Sequence, residues 1–283
     1  MKKILLLSAG FLVGTLFSAA QVQTPQSSPH VKVTQTIGLT EVNIDYSRPS
    51  VKEREIFGEL VPFEEIWRTG ANQNTTISFS DDVVINGKSL SAGTYSIFTK
   101  PGKEAWEVYF YKDIENWGVP RDWDESKIAL ETEAKAVQIP VKMESFTIFF
   151  DHLKDNSADL VFIWENTVVS VNVEVPTEEK AMESIKNTMS GEPTVNDYFA
   201  ASSYYLSQEK DLKQALEWMN KGIKMNKKEP PFYILLQKAK IQAKLGMKKE
   251  AIKTSQKSLE GAKKADNAHY ISENQKLLKE LGA

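Results

Sequence analysis

The chain has 283 residues, of which 41% are hydrophobic and 26% are charged, and its formal net charge at pH 7 is −3. This length allows one large or two ordinary domains, and the composition is that of a globular protein rather than a disordered or membrane-embedded chain. The sequence contains no cysteine, which excludes disulfides, thiolate metal sites, a cysteine nucleophile and lipid attachment through a cysteine.

Residues 1–20 have the pattern of a secretory leader. A basic start, Met1-Lys2-Lys3, precedes an apolar run at 4–17 and the small residues at 18–20, so we predict cleavage after the last of these. A membrane anchor is the alternative, but it needs about 20 apolar residues and this run is shorter. The leader predicts a periplasmic or secreted protein. Because no later segment is apolar enough to span a bilayer, we expect no membrane span after cleavage. Residues 21–30 are predicted to be a linker.

Residues 31–176 are predicted to form an all-β domain. Apolar and polar residues alternate in many short runs, which is the pattern of half-buried strands with one face on a core and one towards water. The clearest runs contain Val42-Asn43-Ile44-Asp45-Tyr46, Trp106-Glu107-Val108-Tyr109-Phe110 and Val169-Ser170-Val171-Asn172-Val173. Turn signals such as Asn86-Gly87 and Pro101-Gly102 separate them. Many short strands with no helical pattern between them favour an antiparallel β-sandwich or barrel.

Residues 177–283 are predicted to form an all-α domain of about six helices. Thr177 is followed by acidic residues and is the expected N-cap of the first helix. The alanines Ala215 and Ala251 lie 36 positions apart in similar segments, close to the tetratricopeptide period of about 34 residues. The region resembles two degenerate tetratricopeptide units with flanking helices, although a lysine replaces the usual closing proline in each. A plain helical bundle is the alternative.

The two halves carry charge of opposite sign. Residues 21–176 have 14 basic and 24 acidic side chains, net −10, whereas residues 177–283 have 19 basic and 14 acidic side chains, net +5. Opposite signs favour either contact between the halves or an acidic protein partner of the helical repeats, and a solvated lysine-rich surface is the simpler alternative. We expect no nucleic-acid binding, because the lysines are spread around the helices of an exported chain.

Arginine is scarce in this sequence and it is clustered. The four arginines are Arg48, Arg54, Arg68 and Arg121, and the first three fall within 21 positions. Arginine differs from lysine in having a planar donor edge that can hold a carboxylate or phosphate at two points. We therefore predict a site for a small anionic ligand or glycan, and the candidate residues are Tyr46, Arg48, Arg54, Trp67, Arg68 and Asn72. A structural clamp that ties loops together is the competing interpretation.

Five blocks of sequence resemble a known family. They are Tyr46-Ser47-Arg48-Pro49, Phe57-Gly58, Trp67-Arg68-Thr69-Gly70-Ala71-Asn72, Ala92-Gly93-Thr94-Tyr95-Ser96 and Trp164-Glu165-Asn166. They are similar to the signature blocks of bacterial domain-of-unknown-function family 2911, over residues 28–175. The resemblance implies a periplasmic or secreted β domain that is sometimes followed by helical repeats. It implies no activity and no site residues.

Two functions are compatible with these patterns. The first is a non-enzymatic binding or assembly module, and the second is a cell-envelope hydrolase that acts on a glycan or peptide through carboxylates. The sequence contains no nucleophile elbow, phosphate-binding loop or zinc motif, and we predict no cofactor and no metal. The absence of these catalytic motifs favours the binding module over the hydrolase.

Overall fold

A computed structural model of the protein describes residues 24–226 and 228–283. The predicted leader, residues 1–20, lies outside these ranges. The chain divides into two compact units with the boundary between Val175 and Pro176. The described part of the first unit contains nine β-strands, and that of the second contains six α-helices. The prediction of an all-β domain followed by an all-α domain is therefore confirmed.

The strands of the first unit form one antiparallel sheet. Their bounds are β1 (His30–Ile37), β2 (Thr40–Ser47), β3 (Thr76–Phe79), β4 (Val83–Ile85), β5 (Lys88–Leu90), β6 (Gly93–Pro101), β7 (Ala105–Tyr111), β8 (Ile128–Asp151) and β9 (Ser157–Glu174). The order in the sheet is β1-β2-β3-β6-β7-β8-β9-β4-β5. β8 pairs with β7 through its first part and with β9 through its second, so this long strand continues from one half of the sheet into the other.

The segment that follows β2 closes part of this sheet into a ring. Ser50 forms a bridge with Ser145 of β8. The flanking backbone N–H groups of Val51 and Phe146 donate to the carbonyls of Glu144 and Pro49. Because β2 also pairs with β3, and the pairing continues through β6 and β7 to β8, this part of the sheet curls round until the segment after β2 meets β8. The candidate ligand site lies beside this closure.

One hydrophobic core fills the curled sheet. It contains alternating residues of β2, β6, β7, β8 and β9, together with Val51 and Ile56 from the loop after β2. The largest completely buried side chains include Trp106, Trp164 and Phe146. The alternation of apolar and polar residues therefore identifies the inward-facing side chains correctly at most positions of these strands.

Strand β7 is an exception to the alternation rule. The pattern predicts that Tyr109 and Tyr111 face water, yet they are only 7% and 1% exposed. Both pack with Phe98 of β6 and with Trp123, which belongs to the segment after β7. That segment folds back over the outer face of β6 and β7, so this part of the sheet is buried on both sides. The expectation of a water-facing side was wrong here.

The six helices of the second unit have short connections. Their bounds are α1 (Thr177–Met189), α2 (Val195–Ser207), α3 (Leu212–Met225), α4 (Phe232–Lys244), α5 (Lys248–Lys264) and α6 (Ala268–Glu280). Thr194, Asp211 and Asn267 cap α2, α3 and α6 with their side chains. Thr177 is not the N-cap of α1, because the helix begins at Thr177 itself and Pro176 precedes it. The threonine hydroxyl is buried without a partner.

The helices pack in pairs. α2 packs on α3, α4 packs on α5, and α6 packs on α5, while α4 also contacts both α2 and α6. Ala215 of α3 and Ala251 of α5 are completely buried, as expected for close packing positions. No helix in the described ranges combines the length and the apolar character needed to cross a bilayer.

Candidate functional site

A cavity of about 340 Å³ opens beside the closure of the sheet. It is lined by Ser27, Ser28, Pro49, Ser50, Lys52, Arg54, Leu60, Val61, Trp67, Arg68, Gly70, Ala71, Asn72 and Trp164. Four of the six predicted residues are among them, namely Arg54, Trp67, Arg68 and Asn72. Three lining side chains are cationic, and none of the described residues that line the cavity is a carboxylate. We call this space the Arg68 cavity.

Two tryptophans give the Arg68 cavity an apolar wall. The rings of Trp67 and Trp164 are stacked, with centroids 5.8 Å apart and an angle of 17° between their planes. Phe57 and Phe146 meet this pair edge-on. Trp67 is held by backbone hydrogen bonds to Thr99 in both directions, of 2.7 and 3.0 Å. The wall is therefore a rigid extension of the hydrophobic core.

The loop after Trp67 brings backbone close to the cavity through an unusual conformation. Thr69 and Asn72 have positive φ angles of 55° and 61°, and such an angle is rare for a β-branched residue such as Thr69. Gly70 has φ +152°, and a Cβ added there would lie 2.8 Å from Thr75 Oγ1 and 3.1 Å from the Ser47 carbonyl. Only glycine fits at this point. Strained backbone of this kind is often found at ligand sites.

The side chain of Asn72 joins the loop to the segment that precedes β1. Its amide nitrogen donates to Gln26 Oε1, the Ser28 carbonyl and Ser47 Oγ at 3.4, 3.3 and 3.2 Å. Ser27 and Ser28 also line the cavity. The segment before the first strand, which the sequence pattern indicates only as a linker, thus forms one side of the Arg68 cavity.

Arg68 and Arg54 line the cavity while also bonding to the backbone. Arg68 Nη1 donates to the carbonyls of Asn72 and Trp117 at 2.8 and 3.1 Å. Arg54 donates from Nε to the Val51 carbonyl and from Nη2 to the Ser50 carbonyl, at 3.0 and 2.6 Å. Neither guanidinium forms an ion pair with a described carboxylate. Both arrangements leave some N–H groups of each side chain for a ligand.

The other two predicted residues lie outside the cavity lining. Arg48 donates from Nε to the Phe146 carbonyl and from Nη2 to Thr147 Oγ1, at 3.0 and 2.6 Å. Tyr46 is 2% exposed, and its hydroxyl accepts from the Ile148 N–H at 2.9 Å. Burial raises the pKa of this phenol. Arg48 and Tyr46 therefore tie β2 to β8, as the clamp interpretation describes.

Sequence reasoning missed several residues of the cavity. Lys52 supplies a third cation, and Trp164 contributes to the wall from a strand about 100 positions away. Lys52 could have been identified from its position beside Arg54, since the two lie in one short loop. Trp164 occurs in a block that resembles the family, but nothing in the pattern of the chain indicates that it meets Trp67.

A second group of polar residues lies on the outer face of β6 and β7. Lys100 Nζ is 2.9 Å from Glu107 Oε1 and 3.7 Å from Glu64 Oε2, and the Tyr109 hydroxyl also donates to Glu107. The hydrogen bonds from Tyr109 and Lys100 lower the pKa of the Glu107 carboxyl, which makes it a weaker base. Within the described ranges, no group of three or more histidines or carboxylates is arranged to hold a metal ion.

The fold and the cavity together define the class of the first unit: a curled antiparallel β domain with a basic, tryptophan-walled cavity at its closure. Residues 28–173 match the model of a family described as a protein of unknown function (DUF2911). This match covers more than half of the chain, so the protein belongs to the DUF2911 family. No curated protein and no solved structure matches the chain. The family match does not extend to the helices, and their resemblance to tetratricopeptide repeats stays a prediction.

Proposed function

We propose that the protein is an exported, non-enzymatic binding module whose β unit holds a small anionic ligand in the Arg68 cavity. One observation carries this proposal: Lys52, Arg54 and Arg68 line a cavity without a described carboxylate, in a region whose net charge is −10. Carboxylates are the commonest partners of cations in such a region, so a site without them is suited to an anion from solution. The indole rings of Trp67 and Trp164 are suited to contact an apolar part of the same ligand.

A thermal-shift and tryptophan-fluorescence screen with small organic acids, phosphate esters and acidic sugars tests this proposal. A ligand of the native state raises the unfolding temperature by an amount that grows with the ratio of its concentration to its dissociation constant. We expect Lys52→Gln to weaken the response and Arg121→Gln to leave it unchanged, because Arg121 is an exposed arginine outside the cavity. Equal behaviour of the two variants, or no response to any anion, would contradict the proposal.

The alternative function, a cell-envelope hydrolase that uses carboxylates on a glycan or peptide, has weaker support. A general base must lie within hydrogen-bonding reach of the group it deprotonates, and the described lining of the Arg68 cavity offers no carboxylate for that role. The carboxylates Glu64 and Glu107 do approach each other around Lys100, but the lowered pKa of Glu107 works against base catalysis.

The helical unit is proposed to bind an acidic protein segment. The support is its net charge of +5 and a groove of about 450 Å³ on the side shared by α2, α4 and α6. Leu206 and Leu277 line this groove together with three lysines and two glutamates, namely Lys240, Lys244, Lys276, Glu273 and Glu280. Lys240 and Lys244 are paired with Glu273 and Glu209, each at 2.7 Å, whereas Lys276 has no ion pair among the described residues.

Fluorescence anisotropy with a labelled glutamate-rich peptide tests this second role. We expect binding that weakens with salt and is lost in Lys276→Glu. Lys253→Glu is the matched control, since Lys253 lies on the exposed face of α5 away from the groove. Equal loss in both variants would indicate attraction to the overall charge and would refute a groove site.

A further inference from the structure

The three clustered arginines use the edges of their guanidinium groups differently. A guanidinium has one edge formed by Nε–H and Nη2–H, and this edge matches the two oxygens of a carboxylate or phosphate. In Arg48 and Arg54 the protein itself occupies this edge, with oxygen acceptors at 2.6–3.0 Å from both nitrogens. Neither residue has this edge available for a ligand.

Arg68 has the opposite arrangement. Its hydrogen bonds to the carbonyls of Asn72 and Trp117 both start from Nη1, and no acceptor in the described ranges pairs with its Nε or Nη2. Gly118 lies beside the guanidinium, since a Cβ added there would be in van der Waals contact with Arg68 Cζ at 3.5 Å. The guanidinium is thus held by two hydrogen bonds at Nη1, while its two-donor edge is unoccupied.

We infer that Arg68 is the ligand-anchoring residue of the Arg68 cavity and that it holds two oxygens of one oxyanion, a carboxylate or a phosphate monoester, through Nε–H and Nη2–H. This inference rests on the proposed anion-binding function and specifies its chemistry. Lys52 and Nη1 of Arg54 add positive charge beside this anchor. The apolar part of the ligand then lies along Trp67, Trp164 and Leu60, which line the same space.

The preorganisation of Arg68 strengthens this assignment. Ordering a long side chain around a ligand costs conformational entropy, and the two carbonyl bonds at Nη1 have already fixed the guanidinium before any ligand arrives. The left-handed backbone at Asn72, with φ 61°, belongs to the loop that supplies one of these carbonyls. The conformation of this loop therefore helps to hold the anchor in place.

The test uses phenyl phosphate and phenylacetate as probes, with phenol as the neutral control, on the full two-unit protein. Calorimetry gives the affinities of wild type, Arg68→Lys and Arg48→Lys. Lysine keeps the charge but has no two-donor edge, so we expect Arg68→Lys to bind the favoured probe about tenfold more weakly or worse. Arg48→Lys is expected to lower the unfolding temperature and to leave affinity within about twofold, since Arg48 binds only protein oxygens.

A measurement on the wild type guards against a variant that does not fold. The chain has only four arginines, so its Nε–H groups give four ¹⁵N NMR signals that lysine variants assign. We expect the Arg68 signal to shift on addition of the bound probe and the Arg48 signal to stay. Binding of phenyl phosphate alone identifies a phosphate ester, of phenylacetate alone a carboxylate, and of both a general oxyanion site.

Two negative outcomes are distinguishable. If a probe binds but the Arg68 signal does not move and Arg68→Lys binds as well as wild type, the anchoring role is wrong and the anion-binding function stands. If neither anionic probe binds more strongly than phenol, both the anchoring role and the proposed function fall.

Discussion

Replacing Gly70 by alanine should destabilise the β unit strongly, because two penalties combine at this position. The φ angle of +152° lies in a region that is almost restricted to glycine, and strain of this kind costs about 1–3 kcal/mol. The new methyl group would lie 2.8 Å from Thr75 Oγ1, a hydroxyl that donates to the Thr69 carbonyl at 2.5 Å in a completely buried position. Displacing that hydroxyl costs about 1–3 kcal/mol more.

The control for this variant is Gly87→Ala. Gly87 also has a positive φ, of 79°, but a Cβ there meets nothing within 4 Å, so only backbone strain of about 1–2 kcal/mol is expected. Gly70→Ala should therefore lower the free energy of unfolding by about 3 kcal/mol or more, and clearly further than Gly87→Ala.

Urea unfolding followed by tryptophan fluorescence measures both variants, because five of the six tryptophans belong to the β unit. The loop of Gly70 also lines the Arg68 cavity, so a folded Gly70→Ala protein should bind anionic probes more weakly than wild type. Equal loss of stability in the two glycine variants would refute the close-contact argument. If Gly70→Ala loses stability but binds the probes as well as wild type, this loop has no role in ligand binding.

Two further predictions concern buried and exposed polar contacts. Asn274 is completely buried in α6, where its Oδ1 accepts a hydrogen bond from Ser255 Oγ at 2.9 Å. Asn274→Ala should lower the free energy of unfolding by about 2–4 kcal/mol, measured by urea unfolding with circular dichroism. The control is Gln275→Ala, which should change it negligibly because Gln275 is exposed. The hydrogen bond to Asp159 and nearby acidic charge raise the pKa of His152, so this pair stabilises the fold below about pH 6.5 and its contribution disappears as pH rises through the raised pKa. Proton NMR titration should show the His152 pKa falling in Asp159→Asn; an unchanged pKa would show that the contact is absent in solution.

The overall architecture was predictable from the sequence because its physical causes are local. Alternation along β2 and the second half of β9 gives the inward residues directly, and helical periodicity with capping residues such as Thr194 and Asn267 marks helix starts. The choice between sandwich and barrel was not predictable. The closure depends on pairing between Ser50 and Ser145, and contacts between residues that distant in sequence leave no periodic signal.

The candidate site was only partly predictable for the same reason. The clustering of arginines identified the region, and Arg54 and Arg68 do line one cavity with Trp67 and Asn72. The sequence could not separate Arg48 from Arg68, because the difference lies in which nitrogens of each side chain meet a carbonyl. The ligand role of all these residues stays a prediction until an anion is shown to bind.

The segment around Gln26 and Ser28 affects how this protein should be produced. It contacts Asn72 and forms one side of the Arg68 cavity, only a few positions beyond the predicted leader cleavage. A purification tag fused at the new N-terminus would be attached close in sequence to this segment, and a protein shortened to begin at β1 would lack that side of the cavity altogether. An affinity handle placed after Ala283 leaves the sequence of this segment unchanged.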